Sequence, residues 1–151
     1  MSAIVKKILV GYDDGILAQK ALAAAVKIAV DNKAELFIAT AVELPTHIAT
    51  YDIYMQGSAS LTEFFNNHAN AYYQKILEQA ALQAKEKGLD VTIELLEGSP
   101  GKALLKYAEE VGADLIVVGS NNKKPLDRLF LGSVSTYVLH HAKGMILIVK
   151  E

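Results

Sequence analysis

Short apolar runs alternate with helix-like segments along most of the chain. Five such runs lie at residues 8–10, 36–42, 91–96, 115–118 and 145–149; four have few polar residues on either face, and the run at 91–96 alternates less cleanly but is rich in β-forming residues. Strands that are apolar on both faces are typical of parallel sheets covered by helices on both sides. The alternation therefore predicts an α/β fold in which a five-stranded parallel sheet lies between two layers of helices.

The segments between these runs carry helix signals. Apolar residues recur at helical spacing over residues 18–29 and 72–84. Ser99 and Pro100 provide an N-cap and a first-turn proline for a third helix, which Gly112 ends, and a fourth helix begins near Ser133. The irregular region from residue 44 to about 61 is longer than a usual strand-to-helix connection. We interpret it as a lid or an interaction surface.

Composition narrows the class of protein. The chain has 151 residues, of which 52% are apolar, so residues 1–151 are expected to form one domain with its own core. The absence of cysteine excludes disulfides and thiolate metal sites. A net charge of −2 argues against a nucleic-acid partner, and no segment resembles a signal peptide or a membrane span. We expect a cytoplasmic protein with no membrane or nucleic-acid partner.

The segment from Gly119 to Ser135 has the layout of a phosphate-binding element. An apolar strand ends at Gly119, a loop with three basic residues follows, and Gly132-Ser133 opens the last helix. The basic residues are Lys123, Lys124 and Arg128. Glycine lets backbone N–H groups approach an anion, and the N-terminus of a helix favours negative charge. The pattern predicts a phosphate site, although a plain helix start and a solvated basic loop would give the same sequence.

Asp13 follows the first predicted strand inside a glycine-rich turn. In open parallel sheets, ligands bind at the carboxyl ends of strands, at the point where the strand order reverses. If the first and fourth strands are neighbours there, Asp13 faces the loop after Gly119 across one cleft. A carboxylate suits an amine or hydroxyl, and the loop suits phosphates, so the pair predicts a nucleotide. The alternative interpretation is that Asp13 is only a turn residue.

Four features along the chain together match a known family. They are the opening strand into Asp13, the Ala21-Leu22 pair, the Gly98-x-Pro100 turn and the strand at residues 114–119. With these features the chain resembles the universal stress protein family over essentially its whole length. That resemblance implies a Rossmann-like three-layer sandwich with strand order 3-2-1-4-5, in a single universal stress protein domain of the adenine nucleotide alpha-hydrolase-like kind.

The nucleotide-binding branch of that family has a glycine motif near its end, and this chain follows it with one departure. Gly119, Gly132 and Ser133 occupy motif positions, but Asn122 stands where the family has its second glycine. Asn is the residue other than glycine that best tolerates a left-handed φ, so we expect Asn122 to substitute for the glycine.

The resemblance also implies roles for individual residues. Asp13 would contact the adenine or its sugar, and backbone groups of Ala41 and Val42 would pair with the adenine edge. Gly119 and Asn122 would lie against the ribose and phosphates. Donors to the phosphate chain would come from Gly132, Ser133, Val134 and Ser135. The implied ligand is ATP, or AMP or ADP, and Mg²⁺ would accompany the phosphates.

No catalytic pattern is legible in the sequence. It contains neither a Ser/His/Asp arrangement nor a P-loop ending in Lys-Ser/Thr, and its histidines have no spacing that suggests a metal site. We therefore predict an ATP-binding stress-response protein that acts as a binding or switch module, with at most slow ATP hydrolysis. The alternative is a stress-protein scaffold that binds no nucleotide and acts through a protein partner. In both cases the apolar edge strand at residues 145–149 predicts a homodimer.

Overall fold

The computed structural model describes residues 4–13, 15–43, 60–120 and 132–151, with the backbone alone at residues 60–62. Several predicted features fall outside these ranges. They are the irregular region at residues 44–59, Asn122, and the basic side chains Lys123, Lys124 and Arg128.

The described residues contain five strands and four helices, in the order predicted. The strands are β1 (Lys7–Gly11), β2 (Glu35–Val42), β3 (Val91–Glu97), β4 (Leu115–Gly119) and β5 (Met145–Val149). The helices are α1 (Ile16–Asn32), α2 (Ser60–Lys85), α3 (Pro100–Val111) and α4 (Ser133–His141). The predicted end of α3 is confirmed: Gly112 takes a left-handed φ of 72°, which glycine adopts without steric cost.

The sheet order is β3-β2-β1-β4-β5, and every neighbouring pair is parallel. This confirms the predicted order 3-2-1-4-5. Val10 of β1 pairs with Ile38 on one side and Val117 on the other, so β1 lies between β2 and β4. The chain order reverses between β1 and β4, and the segments that follow these two strands therefore leave the sheet side by side.

Asp114 joins β1 and β4 at the opposite edge of the sheet, where these two strands begin. Its Oδ2 accepts the backbone N–H groups of Lys6 and Lys7, each at 2.9 Å. The carboxylate thus ties the start of β1 to the start of β4. This contact gives Asp114 a structural role in the motif at residues 114–119.

Two apolar cores lie on opposite faces of the sheet. On one face, Ile8 and Val10 of β1 pack with α1 and α2. On the other, Leu9 packs with α3 and α4. All three side chains are fully buried, and each burial stabilises the fold by about 1.5–3 kcal/mol. The predicted three-layer arrangement is confirmed.

Helix α2 is longer than its apolar stripe predicted. Its buried residues are Ile76, Leu77, Ala80, Ala81 and Ala84, which belong to the predicted stripe. The helix begins at Ser60, whereas the stripe began at residue 72. Between residues 63 and 75 no side chain is buried, so the first half of α2 is a helix without a core-facing pattern.

Candidate functional site

A cavity of about 1000 Å³ opens at the carboxyl edge of the sheet, and we call it the strand-end cleft. All five strands reach it: its lining includes Leu96 of β3, Ala41 of β2, Gly11 of β1, Gly119 of β4, and Lys150 directly after β5. Four strand intervals of about 4.8 Å make the cleft roughly 19 Å long. A cavity of this size is at the upper end of the range for small-molecule sites.

The switch point of the sheet lies in the middle of the cleft. Asp13 and Gly119 both line it, as the topology predicted. Asp13 also makes the turn contact that was the alternative interpretation, because its Oδ1 accepts the N–H of Gly15 at 2.9 Å. This hydrogen bond fixes the entry into α1 and holds the carboxylate in place at the cleft.

Three helices begin at this edge, after Gly15, Ser99 and Gly132. Within the described residues, no side chain caps the first turn of α1, α3 or α4. The first N–H groups of a helix have no acceptor inside it and carry a partial positive charge. First-turn residues of all three helices line the cleft, namely Ile16, Pro100 and Val134. The edge therefore favours an anion, even though few cationic side chains are present.

The residues at the start of α4 that were predicted to bind phosphate differ in whether they line the cleft. The first helical hydrogen bond joins the N–H of Thr136 to the carbonyl of Gly132, so the N–H groups of Ser133, Val134 and Ser135 have no acceptor in the helix. Val134 lines the cleft, while Gly132 and Ser133 flank it in sequence without lining it. These backbone donors support the anion role predicted from the sequence.

The Ser135 hydroxyl has a structural contact. The side chain is fully buried, and its Oγ donates to the carbonyl of Gly132 at 3.0 Å. In this geometry the hydroxyl stabilises the first turn of α4. The N–H of Ser135 is then the group that remains for an anion.

The cleft is apolar at the end over β2 and β3. Ala39, Ala41, Leu96 and Pro100 form this apolar end, and Leu104 lines the cleft beside Gly11 of β1. Of the two residues predicted to meet an adenine, Ala41 lines the cleft and Val42 does not. The carbonyl of Val42 accepts the N–H of Gly98 at 3.0 Å and closes the end of β2 onto the turn before α3.

Charged side chains that the sequence reasoning missed line the same cleft. Lys20 lies on α1 one turn after Ile16, and Lys150 and Glu151 directly follow β5. We call these three residues the charged lining residues. None belongs to a recognisable motif: Lys20 reaches the cleft because α1 packs on β1, β4 and β5, and Lys150 and Glu151 reach it because β5 ends at this edge. No pattern in the sequence pointed to these residues.

A comparison with models of protein families identifies the family of this chain. The model of the universal stress protein family matches residues 5–150. This chain belongs to the universal stress protein family. Among its relatives, the universal stress protein YxiE of Bacillus subtilis is 34% identical over 148 residues, with 95% of this chain and 98% of that protein covered.

Solved structures of the family have the same fold. A universal stress protein in complex with cAMP is 31% identical, with a TM-score of 0.71, and the match covers 99% of this chain and 98% of that one. The universal stress protein of Archaeoglobus fulgidus in complex with dAMP has a TM-score of 0.66 at 18% identity, over 97% of this chain and 98% of that one. The second likeness shows the fold alone.

Two kinds of site are not seen in the described part of the chain. Neither α2 nor any other helix there is both long and apolar enough to cross a membrane. No group of three or more histidine or acidic side chains comes together among the same residues to hold a metal ion.

Proposed function

We propose that this protein binds an adenine nucleotide in the strand-end cleft and acts as a nucleotide-responsive binding module in the stress response. The proposal rests on one observation: the strand-end cleft is apolar at one end and polar farther along. Its apolar end suits a base, and uncapped helix starts with free N–H groups lie farther along it. The family relative in complex with cAMP, at 31% identity, supports an adenine nucleotide as the ligand class.

The ligand would lie with its base over β2 and its phosphates at the start of α4. Ala41 lines the cleft, and its backbone groups would pair with the adenine edge. Asp13 would accept a hydrogen bond from the adenine amine or from a ribose hydroxyl. Gly119, with Asn122, would lie against the ribose, and the N–H groups from Ser133 to Ser135 would bind the first phosphate.

The first experiment asks whether the protein binds any adenine nucleotide. Protein purified without added nucleotide is denatured, and the released small molecules are identified by absorbance and mass. Stripped protein is then titrated calorimetrically with ATP, AMP and cAMP. We expect saturable one-to-one binding of at least one of them. Absence of binding by all three, in protein with a native circular dichroism spectrum, would contradict the proposal and favour the scaffold alternative.

Replacing Gly132 tests where the phosphates bind. Gly132 is the buried N-cap of α4 with φ of −60° and ψ of 166°, a backbone conformation that valine also adopts. In Gly132→Val a branched side chain stands beside the proposed anion-binding N–H groups. We expect nucleotide affinity to fall at least tenfold, about 1.4 kcal/mol.

The same variant must be checked for folding, because an aliphatic N-cap itself costs about 1 kcal/mol of stability. Urea unfolding of the ligand-free protein measures that cost separately. Unchanged affinity in a folded Gly132→Val protein would remove the phosphate role from this turn.

A further inference from the structure

The first half of α2 carries an exposed row of aromatic side chains. Phe64, His68 and Tyr72 lie four residues apart and therefore share one side of the helix. Phe64 is 59% exposed and Tyr72 is 55% exposed, and the rings of Phe64 and His68 lie against each other with centroids 4.0 Å apart. We call these three residues the aromatic row. We propose that it is an interface at which a second copy of this chain packs its own α2 in the antiparallel direction, across a two-fold axis at His68.

The aromatic row lies on a part of α2 that the fold itself does not use. The helix has 26 residues and is about 39 Å long, yet its buried side chains begin only at Ile76. None of residues 63–75, all of which the structure describes, is buried, and no described residue of α2 lines the strand-end cleft. Contiguous apolar surface of this kind marks an interaction site in a soluble protein.

The absence of charge from this segment argues for an apolar occupant. Although 21% of the chain is charged, residues 64–74 contain no Asp, Glu, Lys or Arg. Nucleic acids and anionic membrane surfaces are bound through clusters of Lys and Arg, which this side of the helix lacks. Another aromatic, uncharged helix face is the surface that it matches.

The spacing of the aromatic row makes it complementary to itself. A two-fold axis brings the same surface of both copies together, so each position meets the one equally far beyond the axis. Phe64 lies four residues before His68 and Tyr72 four residues after it. With the axis at His68, Phe64 of each copy therefore meets the partner's Tyr72. Rows of residues four apart are also the ridges through which helices most often pack.

The charges at the two ends of the segment favour the antiparallel direction. Glu63 precedes the row and Lys75 follows it, and both are exposed. Antiparallel pairing about His68 brings Glu63 of one copy within about 3 Å of the level of the partner's Lys75 along the helix axis. Parallel pairing would instead place each charge beside its like. Opposite charges at an interface select the orientation more than they add affinity.

The size of the contact predicts a weak association. The aromatic row spans about two turns of helix, so it buries far less than the roughly 800 Å² per partner of a stable complex. We therefore expect a Kd on the order of 0.1 mM. Helix α2 packs on β2 and β3, at the side of the sheet away from β5. Pairing through the row is thus independent of any pairing through β5.

Disulfide trapping tests the position of the axis, because the chain contains no cysteine. In His68→Cys the two thiols would face each other at the axis, close enough to form a disulfide. We expect a covalent dimer under mild oxidation at about 0.2 mM protein. Leu82→Cys is the matched control: Leu82 is 59% exposed on the same helix, but its two copies would lie about 40 Å apart. Equal yields of covalent dimer from the two variants would contradict the inference.

A charge-swap experiment tests the two-fold symmetry. His68→Glu and His68→Lys each place like charges opposite one another at the axis, whereas an equal mixture of them allows an opposite-charge pair. In sedimentation equilibrium from about 10 µM to 1 mM, we expect the average mass of wild-type protein to rise with concentration. Each variant alone should show a smaller rise, and the mixture should recover it. Gln83→Glu and Gln83→Lys, at an exposed position on the same helix outside the row, should behave as wild type.

The inference is wrong if the wild-type mass is constant over this range, if the single variants associate as wild type does, or if mixing restores nothing. Circular dichroism and urea unfolding check that each variant is folded, as the exposed position of His68 leads us to expect. None of these outcomes bears on nucleotide binding, which is measured separately at the strand-end cleft.

Discussion

At the residue scale, Gly119 lets α1 pack close to the sheet. A Cβ atom built on Gly119 would lie 2.8 Å from the backbone carbonyl carbon of Leu17 and 2.9 Å from its Cβ. Backbone atoms cannot rotate away as a side chain does, so Gly119→Ala must move α1. We expect a loss of about 1–3 kcal/mol in the free energy of unfolding, measured by urea denaturation.

Gly11→Ala is the control for this prediction. Its Cβ would lie 2.9 Å from Cδ2 of Leu104 and 3.1 Å from Cγ1 of Val118, which are both ends of side chains. These can shift by small rotations, and we expect a smaller loss of stability than for Gly119→Ala. Equal losses in the two variants would mean that α1 accommodates the extra methyl group freely.

Sequence reasoning assigned Gly119 to the ligand because the residue matched a motif position. The structure adds a packing reason for the glycine, which depends on a helix more than a hundred residues earlier in the chain. Asp13 and Gly119 were predicted to share a cleft because the carboxyl ends of neighbouring parallel strands must meet. Lys20 and Lys150 could not be predicted, since the packing of α1 brings Lys20 to the cleft and the position of β5 in the sheet brings Lys150 there, and neither leaves a local sequence pattern.

At the element scale, α4 is positioned by its contact with α3. A Cβ atom on Gly101 of α3 would lie 2.8 Å from Cδ1 and 2.9 Å from Cβ of Tyr137 on α4. Because the Tyr137 Cβ is also too close, rotating the ring cannot relieve the overlap, and Gly101→Ala must shift α4. Gly101 does not line the cleft, yet the first turn of α4 does. We expect the variant to lose stability and to bind nucleotide about fivefold more weakly, about 1 kcal/mol.

Lys102→Ala, at the exposed neighbouring position of α3, is the control for Gly101→Ala. It should leave both the unfolding curve and the calorimetric titration close to wild type. A Gly101→Ala protein that is less stable but binds nucleotide normally would show that α4 keeps its place at the cleft without this contact.

A comparison of the predicted and observed ends of the strands and helices shows what an apolar sequence pattern detects. The five strands were predicted to within one residue at either end, because β1, β2, β4 and β5 carry largely apolar runs and β3 alternates apolar with polar residues. The start of α2 was predicted twelve residues too late. Periodicity reports a buried face, and the first half of α2 buries none: Phe64 and Tyr72 are more than half exposed.

At the scale of the whole molecule, the two edges of the sheet differ in how they are protected. The edge strand β3 presents polar side chains, with Thr92, Glu94 and Glu97 exposed. Charged residues on an edge strand discourage pairing with another sheet. The opposite edge strand β5 has no charged residue, and Met145 is 40% exposed. Of these two edges, β5 is therefore the one suited to association.

The unprotected edge predicts that two copies pair through β5 about a two-fold axis. Such pairing would join the unpaired N–H and C=O groups of both edges and cover the partly exposed apolar side chains. We expect the wild-type protein to sediment as a dimer at micromolar concentration, and Leu147→Lys to give monomer or aggregate. Thr92→Lys, on the already polar β3 edge, should stay dimeric. If the wild-type protein is monomeric, or if a folded Leu147→Lys protein remains a dimer, another surface must mediate association or β5 must be covered in a different way.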